Sequence, residues 1–159
     1  MIQQDRECVA THGHPAWKAR ANSTFPMLVG MRDGRTRWEQ LWWQRVKPRR
    51  FVLCCIPFFI DDLALGDEVE TTARHVVRAI VARSGQATFR VWNEQRDPWV
   101  RDTVLKAVET FRPWAEWRST DLLALSVDAR AAGAMAARLH ALARQGLIRV
   151  HAGEVATPG

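Results

Sequence analysis

Four side chains in the middle of the sequence are of types that carry out catalysis: Asp61, Asp67, Ser84 and His75. Carboxylates with a hydroxyl and an imidazole could perform acid–base or nucleophilic chemistry, and the cluster that adds Asp62 and Glu68 could hold a divalent cation. However, the carboxylate spacing matches no calcium-binding loop, and Ser84 does not lie in the G-x-S-x-G turn of serine hydrolases. Asp67 follows Gly66, where turns favour an aspartate. We therefore expect turn and solubility roles for these residues, and no enzymatic activity.

Histidines and cysteines are candidate metal ligands. His12 and His14 are two residues apart near Asp5, but no second pair of ligands has the spacing of a zinc site. We expect both histidines to be solvated loop residues, with no bound metal or cofactor. Cys54 and Cys55 are adjacent, so in a strand they point to opposite faces and do not pair with each other. They are typical of small buried residues in a reducing compartment, which predicts a cytoplasmic protein.

Basic residues give the strongest indication of binding. The 159-residue chain has a formal net charge of +6, which favours an anionic partner. Candidate partner-binding residues fall on an expected hairpin, a strand and a helix: Arg45, Lys47, Arg49 and Arg50; Arg90 and Trp92; and Arg130, Arg138 and Arg144. Arg and Trp often anchor protein interfaces, and a strand face that carries both could also stack nucleic-acid bases.

Two binding functions remain open. Because no catalytic constellation is present while the chain has eight Trp and many Arg, the leading hypothesis is a non-enzymatic protein that binds another protein. An immunity or antitoxin-type inhibitor of a bacterial toxin is one form of it, and a chain of charge +6 then requires an acidic or neutral target. The alternative is nucleic-acid binding through the basic hairpin and the Arg90–Trp92 face, with affinity that falls steeply with salt. The neighbouring strand 122–127 offers no aromatic residue for stacking.

Turn residues and alternating apolar residues predict an α+β fold in several parts. Gly and Pro punctuate residues 1–35, so we expect an irregular N-terminal arm there. Short strands joined by tight turns predict a small antiparallel β-barrel or bent sheet over residues 36–87. Residues 88–153 follow the order strand, helix, strand, strand, helix, strand, which is that of a ferredoxin-like βαββαβ unit. Residues 154–159 are expected to form a tail.

Two amphipathic segments carry the helix signals. Asp97 followed by Pro98 predicts the start of the first helix, which extends to about Phe111. Asp128 precedes the second helix, and Gly146 lies where a helix commonly ends. No apolar stretch has the length of a membrane-spanning helix, and the N-terminus lacks the apolar core of a signal peptide.

Several short motifs resemble a bacterial family known as a domain of unknown function. Its pattern is W-x-x-L-W, then P-F, G-D-x-V and S-G-H-x-T-x-R-V, and the matching segments here are 38–42, 57–58, 66–69 and 84–91. The resemblance covers residues 38–92, and it extends over residues 93–152 only in the order of elements. It gives almost no indication of an activity. Where the family has His, this chain has Gln86. If that His is catalytic in relatives, this protein lacks the chemistry; alternatively, either residue hydrogen-bonds a turn.

Overall fold

The structure, a computed structural model, describes residues 6–153 as two β-sheets and two α-helices, which confirms the mixed α+β class. The first sheet has six strands: β1 (Arg6–Ala10), β2 (Ser23–Arg32), β3 (Arg35–Lys47), β4 (Arg50–Leu53), β5 (Glu68–Thr71) and β6 (Val77–Ala82). The rest comprises β7 (Gln86–Trp92), α1 (Pro98–Val108), β8 (Trp114–Trp117), β9 (Leu122–Asp128), α2 (Ala132–Arg144) and β10 (Arg149–Ala152). The tail predicted for residues 154–159, like residues 1–5 of the predicted arm, lies outside the described residues.

Strand β3 is the centre of the first sheet. It pairs with β2 along one side, and on the other side with β1 near its start and β4 near its end. Strands β5 and β6 extend the sheet from β4. Among the described residues β2 and β6 do not pair, so the predicted alternative of a closed barrel is wrong, and β1 runs parallel to β3, so the sheet is not purely antiparallel. Alternation along a strand specifies its buried face but not its partners or closure.

The segment predicted to be an irregular arm contains strands β1 and β2, so that prediction is corrected. The Gly and Pro residues that suggested irregular structure lie where strands tolerate them. Pro26 is in β2, which is an edge strand. The register between β2 and β3 shifts between Leu28 and Gly30, as at a β-bulge. Asp33 and Gly34 have φ angles of 51° and 75°, as the two-residue turn between β2 and β3 requires.

The second sheet has the strand order β10-β7-β9-β8, and each neighbouring pair is antiparallel. The predicted order strand, helix, strand, strand, helix, strand is confirmed for this part of the chain. Both helices contribute to one core cluster, through Val100, Val104 and Val108 of α1 and Met135 and Leu139 of α2. The amphipathic faces are therefore buried as expected. Within residues 6–153 neither helix has the length and apolarity needed to span a bilayer.

The first half of the chain covers the second sheet's other face. Ile56 and Phe58, from the segment between β4 and β5, join Leu122 and Ala124 of β9 in a third core cluster, against which Trp92 packs. A continuous apolar layer thus connects the two sheets. The two halves of the protein stabilise each other through this layer.

Candidate functional site

Three residues of the proposed signature meet at the turn that precedes β5: Gly66, Asp67 and Ser84. Asp67 is buried, and its carboxylate accepts hydrogen bonds from the backbone N–H groups of Ala64 (2.9 Å) and Ser84 (2.8 Å) and from Arg83 (3.1 Å). The Ser84 hydroxyl donates to the Leu65 carbonyl at 2.6 Å. These polar atoms hold two turns together. The turn role predicted for Asp67 is therefore observed, and its carboxylate is engaged within the fold.

Arg90 of β7 fastens the segment after β4 onto the second sheet. Its guanidinium donates to the carbonyl oxygens of Pro57 and Ile60 and to the carboxylate of Asp61. The side chain of Arg90 is 4% exposed. We expected Arg90 to contact a partner, but the structure buries it in contacts within the chain, so a partner cannot reach it. Asp61 remains exposed and also lies 3.3 Å from Nε2 of His151.

A cleft of about 10 Å³ adjoins both the Asp67 turn and the contact between Arg90 and Asp61. Its wall includes Asp61, Asp67, Gln86 and Thr88. This volume holds about one water molecule. Three of the four candidate catalytic residues are therefore near one another, since Ser84 is hydrogen-bonded to Asp67. His75 is not among them, because it stacks on Phe25 in the first sheet.

Gln86, where the resembling family has His, spans two strands. Its Oε1 accepts a hydrogen bond of 2.7 Å from the hydroxyl of Ser126 on β9. The partner is a neighbouring strand, so the suggested bond to a turn is not the contact that its side chain makes.

A buried cluster of charged side chains joins the N-terminal segment to both sheets. His12 is 3% exposed and lies between Glu39 of β3 and Glu116 of β8. Its Nε2 is 3.0 Å from Glu39 Oε2, and its Nδ1 is 2.8 Å from Glu116 Oε1. The imidazole stacks on Phe58 with 4.4 Å between ring centroids. The carboxylates also accept hydrogen bonds from backbone N–H groups. Glu39 accepts from Phe58 and Phe59, and Glu116 accepts from Ala16 and Ile56.

The electrostatics of this cluster keep His12 charged. Burial lowers its pKa, but hydrogen bonds with Cys55, Glu116 and Glu39 outweigh burial and raise the pKa of His12 from 6.5 to about 12. Both ring nitrogens then carry protons, and each donates to one carboxylate. Burial raises the pKa of the Cys55 thiol above 9.0, so Cys55 stays neutral at pH 7. Our expectation of a solvated His12 is wrong, whereas His14 is exposed as predicted.

One residue of this cluster can be recognised from the alternation of side chains along β3, although we did not predict it. Glu39 has the parity of Leu41 and Trp43, which are fully buried, so its carboxylate also points inside. A buried carboxylate requires a hydrogen-bonding or cationic partner. Nothing comparable marks His12 in the sequence. Within residues 6–153 no group of three or more His, Cys, Asp or Glu is placed to hold a metal ion.

The three cysteines are all free thiols. Cys54 and Cys55 are buried, as predicted, whereas Cys8 is exposed. Burial raises the pKa of Cys54 to about 11, although the charge of Arg20 opposes the shift. Neither buried thiol is therefore an activated nucleophile.

The turn between β3 and β4 presents the basic hairpin, which comprises Arg45, Lys47, Arg49 and Arg50. The side chains of Arg45, Lys47 and Arg49 are exposed, and no residue within 6–153 forms an ion pair with any of them. Arg50 differs, because its guanidinium lies 3.5 Å from Glu68. A groove of about 240 Å³ adjoins the hairpin, and its wall includes Arg45, Arg49, Phe51 and His75. This surface combines free positive charge with a concave shape.

The other predicted contact residues lie on different elements. Arg130, before α2, pairs with Asp128 at 3.1 Å, and Arg138 donates to the Ala107 carbonyl of α1. Arg144 is exposed near the end of α2. Trp92 is half-buried, with the Arg149 guanidinium 5.4 Å from its ring centroid. The structure therefore brings together only the hairpin group.

Comparison with known proteins identifies a family. The family model for a domain of unknown function, DUF4265, matches residues 39–150. The chain belongs to the DUF4265 family. The predicted membership of a domain-of-unknown-function family is thereby confirmed, while the four-part signature stays a prediction. None of the curated proteins matches the chain.

A solved structure shares the fold of this DUF4265 protein. It is described as a novel crystal structure of a hypothetical protein from Neisseria gonorrhoeae. The TM-score is 0.72 at 15% sequence identity, and the alignment covers 85% of this chain and 96% of that chain. At this identity the likeness shows the fold alone.

The DUF4265 match contains both carboxylates of the buried cluster but begins after its histidine. Glu39 is the first matched residue, and Glu116 lies well within the match. In the fold, the imidazole of His12 nevertheless lies between the two carboxylates. In the sequence, His12 stands 27 residues before Glu39 and 104 residues before Glu116. In this protein the segment around His12 therefore packs against the matched region.

Replacing Arg49 by Gly is expected to stabilise the protein. Arg49 has a φ angle of 62°, a conformation that costs a non-glycine residue about 1–2 kcal/mol. Gly avoids this cost, but the extra conformational entropy that it gives the unfolded chain lowers the stability by about 0.5–1 kcal/mol. Arg49→Gly should therefore raise the free energy of unfolding in urea by about 0.5–1 kcal/mol. The matched control, Lys47→Gly, removes the same charge from strand β3 and should lower it. Equal effects of both variants would contradict the strain at Arg49.

Proposed function

We propose that this DUF4265 protein is a non-enzymatic protein-binding protein, and that its basic hairpin receives an acidic surface of the partner. An immunity or antitoxin-type inhibitor of a bacterial toxin is the physiological form that we favour, acting in the cytoplasm. The target is then acidic, which accords with the net charge of +6.

One observation supports this proposal above the others. Arg45, Lys47 and Arg49 are exposed cations without an ion-pair partner among residues 6–153, and two of them line the groove beside the hairpin. Three like charges close together repel each other, and a partner's carboxylates relieve that repulsion. Arg also forms bidentate hydrogen bonds with carboxylates, so the same side chains add specificity.

A protein partner fits this surface better than a nucleic acid does. The Arg90–Trp92 face that was to stack bases lies against the segment between β4 and β5. Phosphate contacts alone usually number six to ten in proteins with strong salt dependence, whereas the hairpin offers three free cations. Nucleic-acid binding remains the alternative that the experiment must distinguish from protein binding.

The test is recovery of partners from the host with the double variant Arg45→Glu/Arg49→Glu. The tagged full chain is purified with and without nuclease, and bound proteins are quantified by mass spectrometry. We expect a stoichiometric protein partner that resists nuclease, and at least a tenfold loss of it in the variant, because two attractive charges become repulsive.

The matched control is Arg130→Glu/Arg144→Glu, which reverses two exposed charges around α2. It should retain the partner. Loss of the partner in this control alone would move the site to α2. Partners that vanish with nuclease, leaving bound DNA or RNA in the untreated sample, would replace the proposal by nucleic-acid binding.

We also propose that residues 88–153 form a ferredoxin-like unit, joined to a sheet subdomain that residues 36–87 build together with β1 and β2. The order β10-β7-β9-β8 with antiparallel pairs supports it, because the first and third strands of a βαββαβ unit are central. Hydrogen exchange that reports the two parts opening as separate cooperative units would support the boundary.

A further inference from the structure

Three strands of the first sheet, β1, β2 and β6, pair along only one edge within residues 6–153. Within residues 6–153 seven large apolar side chains are exposed, and four of them lie on or beside β2 and β6: Leu28, Met31, Val76 and Val81. Inward-facing residues of the same strands are only partly buried against the core: Met27, Val29, Val77 and Ile80. The open side of the sheet therefore presents backbone hydrogen-bonding groups next to incompletely buried apolar surface.

Strand β6 is the best template of the three, because β1 has only five residues and two of them, Arg6 and Glu7, are charged. Proteins block free edges with Pro and charged residues, and β2 contains Pro26, which has no amide donor. Strand β6 contains no proline and a single charged residue, Arg78. Its register against β5 skips Arg78 and Val81, so two β-bulges bend the strand, and an added strand must follow the same bends. The edge is otherwise free and nearly uncharged over six residues, a length and composition that strand addition uses.

We infer that β6 accepts an extended segment of the partner protein as an additional strand. This segment alternates apolar and polar residues and carries a carboxylate at the end that meets the basic hairpin. The inference rests on the protein-binding function proposed above and specifies the partner's chemistry.

The basic hairpin is continuous with the start of β6. His75 precedes β6 by two residues and lines the same groove as Arg45 and Arg49. Residues that continue past the segment paired with β6 can therefore enter the groove at that end, where the two guanidinium groups can bind a carboxylate. The apolar side chains of the added strand cover Val77 and Ile80, which the bulge at Arg78 places on the same face and which are half-buried in the free protein.

A second copy of this chain is a poorer occupant than an acidic segment. If two β6 strands paired antiparallel, the end of one would lie beside the start of the other. Arg83 directly follows β6 and is already paired with Asp67, so a second copy would bring a neutralised cation and no free carboxylate towards Arg45 and Arg49.

The experiment selects peptides from a random display library on the full chain and measures their effect on backbone amide exchange. We expect selected peptides with alternating β-branched or aromatic residues and Asp or Glu near one end. A synthetic copy of the strongest binder should slow amide exchange at least tenfold within Val77–Ala82, and leave Ser23–Arg32 unchanged.

Two point variants locate the added strand. Val81→Glu places a carboxylate on the exposed edge, where Val81 is 36% exposed, and should weaken peptide affinity at least fivefold. Met31→Glu makes the same change on β2, where Met31 is 70% exposed, and should alter affinity by less than twofold. Protection on β2, helical peptides, no selected peptide, or β6 protection that grows with protein concentration without peptide would each overturn the inference.

The outcome is separable from that of the proposed function. If Arg45→Glu/Arg49→Glu abolishes host-partner recovery while Val81→Glu does not, and β6 exchange is unaffected by the partner, the protein-binding function stands and strand addition fails. If no nuclease-resistant partner is found, the function fails first, and binding of a selected peptide at β6 does not rescue it.

Discussion

His12→Ala is expected to lower the free energy of unfolding by about 3–5 kcal/mol, because it leaves Glu39 and Glu116 buried without their shared cation. The loss is large against the 5–15 kcal/mol that stabilises a typical domain. The stacking of the imidazole on Phe58 is lost as well. Urea unfolding monitored by Trp fluorescence measures the change.

His14→Ala is the matched control, since His14 is exposed on the same segment. Its effect should stay within about 0.5 kcal/mol. A double-mutant cycle with Glu116→Gln tests the charge interaction directly. In a Glu116→Gln background the cluster already lacks one charge, so His12→Ala should cost measurably less there. Equal costs in both backgrounds would argue against a charge-based role of His12.

The pH dependence of stability provides an independent readout of His12. Its pKa is 6.5 in ordinary surroundings and about 12 in the folded protein. The contribution of the charged ring is therefore fully present below pH 6.5 and is lost progressively as the pH rises towards 12. The difference in stability between the wild type and His12→Ala should shrink over that range. A difference that grows with pH would reverse the assigned charge state.

Gly66→Ala is expected to be the second most damaging change, at about 2–4 kcal/mol. Gly66 has a φ angle of 86°, and a Cβ there would lie 2.8 Å from Trp17 Cη2 and 2.9 Å from Ser84 Cβ. The left-handed backbone costs about 1–2 kcal/mol for an alanine, and overpacking typically adds 1–3 kcal/mol. The turn that Asp67 and Ser84 hold would have to shift. Thermal unfolding measures the loss.

Gly85→Ala separates the two causes. Gly85 has a similar φ of 82°, but no heavy atom lies within 4 Å of the position its Cβ would take. This variant should show the backbone cost alone, about 1–2 kcal/mol. If both variants lose the same stability, the close approach of Trp17 and Ser84 has no energetic consequence, and Gly66 is required for its backbone conformation only.

Short-range patterns in the sequence determined the elements and most of the turns. Alternating residues predicted the strands between residues 36 and 92, the Asp97–Pro98 signal predicted the start of α1, and Gly146 predicted the end of α2 within two residues. These features depend on residues that are neighbours along the chain. The basic hairpin is of the same kind, because two strands joined by a two-residue turn hold their charged residues side by side.

Long-range packing decided what the sequence did not. His12 meets Glu116 across 104 residues, and Arg90 meets Ile60 across 30, and neither contact leaves a periodic pattern in the sequence. The same holds for the parallel pairing of β1 with β3 and for the open edges of β2 and β6. Local propensity is a property of each segment, whereas the partner of a buried charge or of a free edge is selected by the free energy of the whole fold.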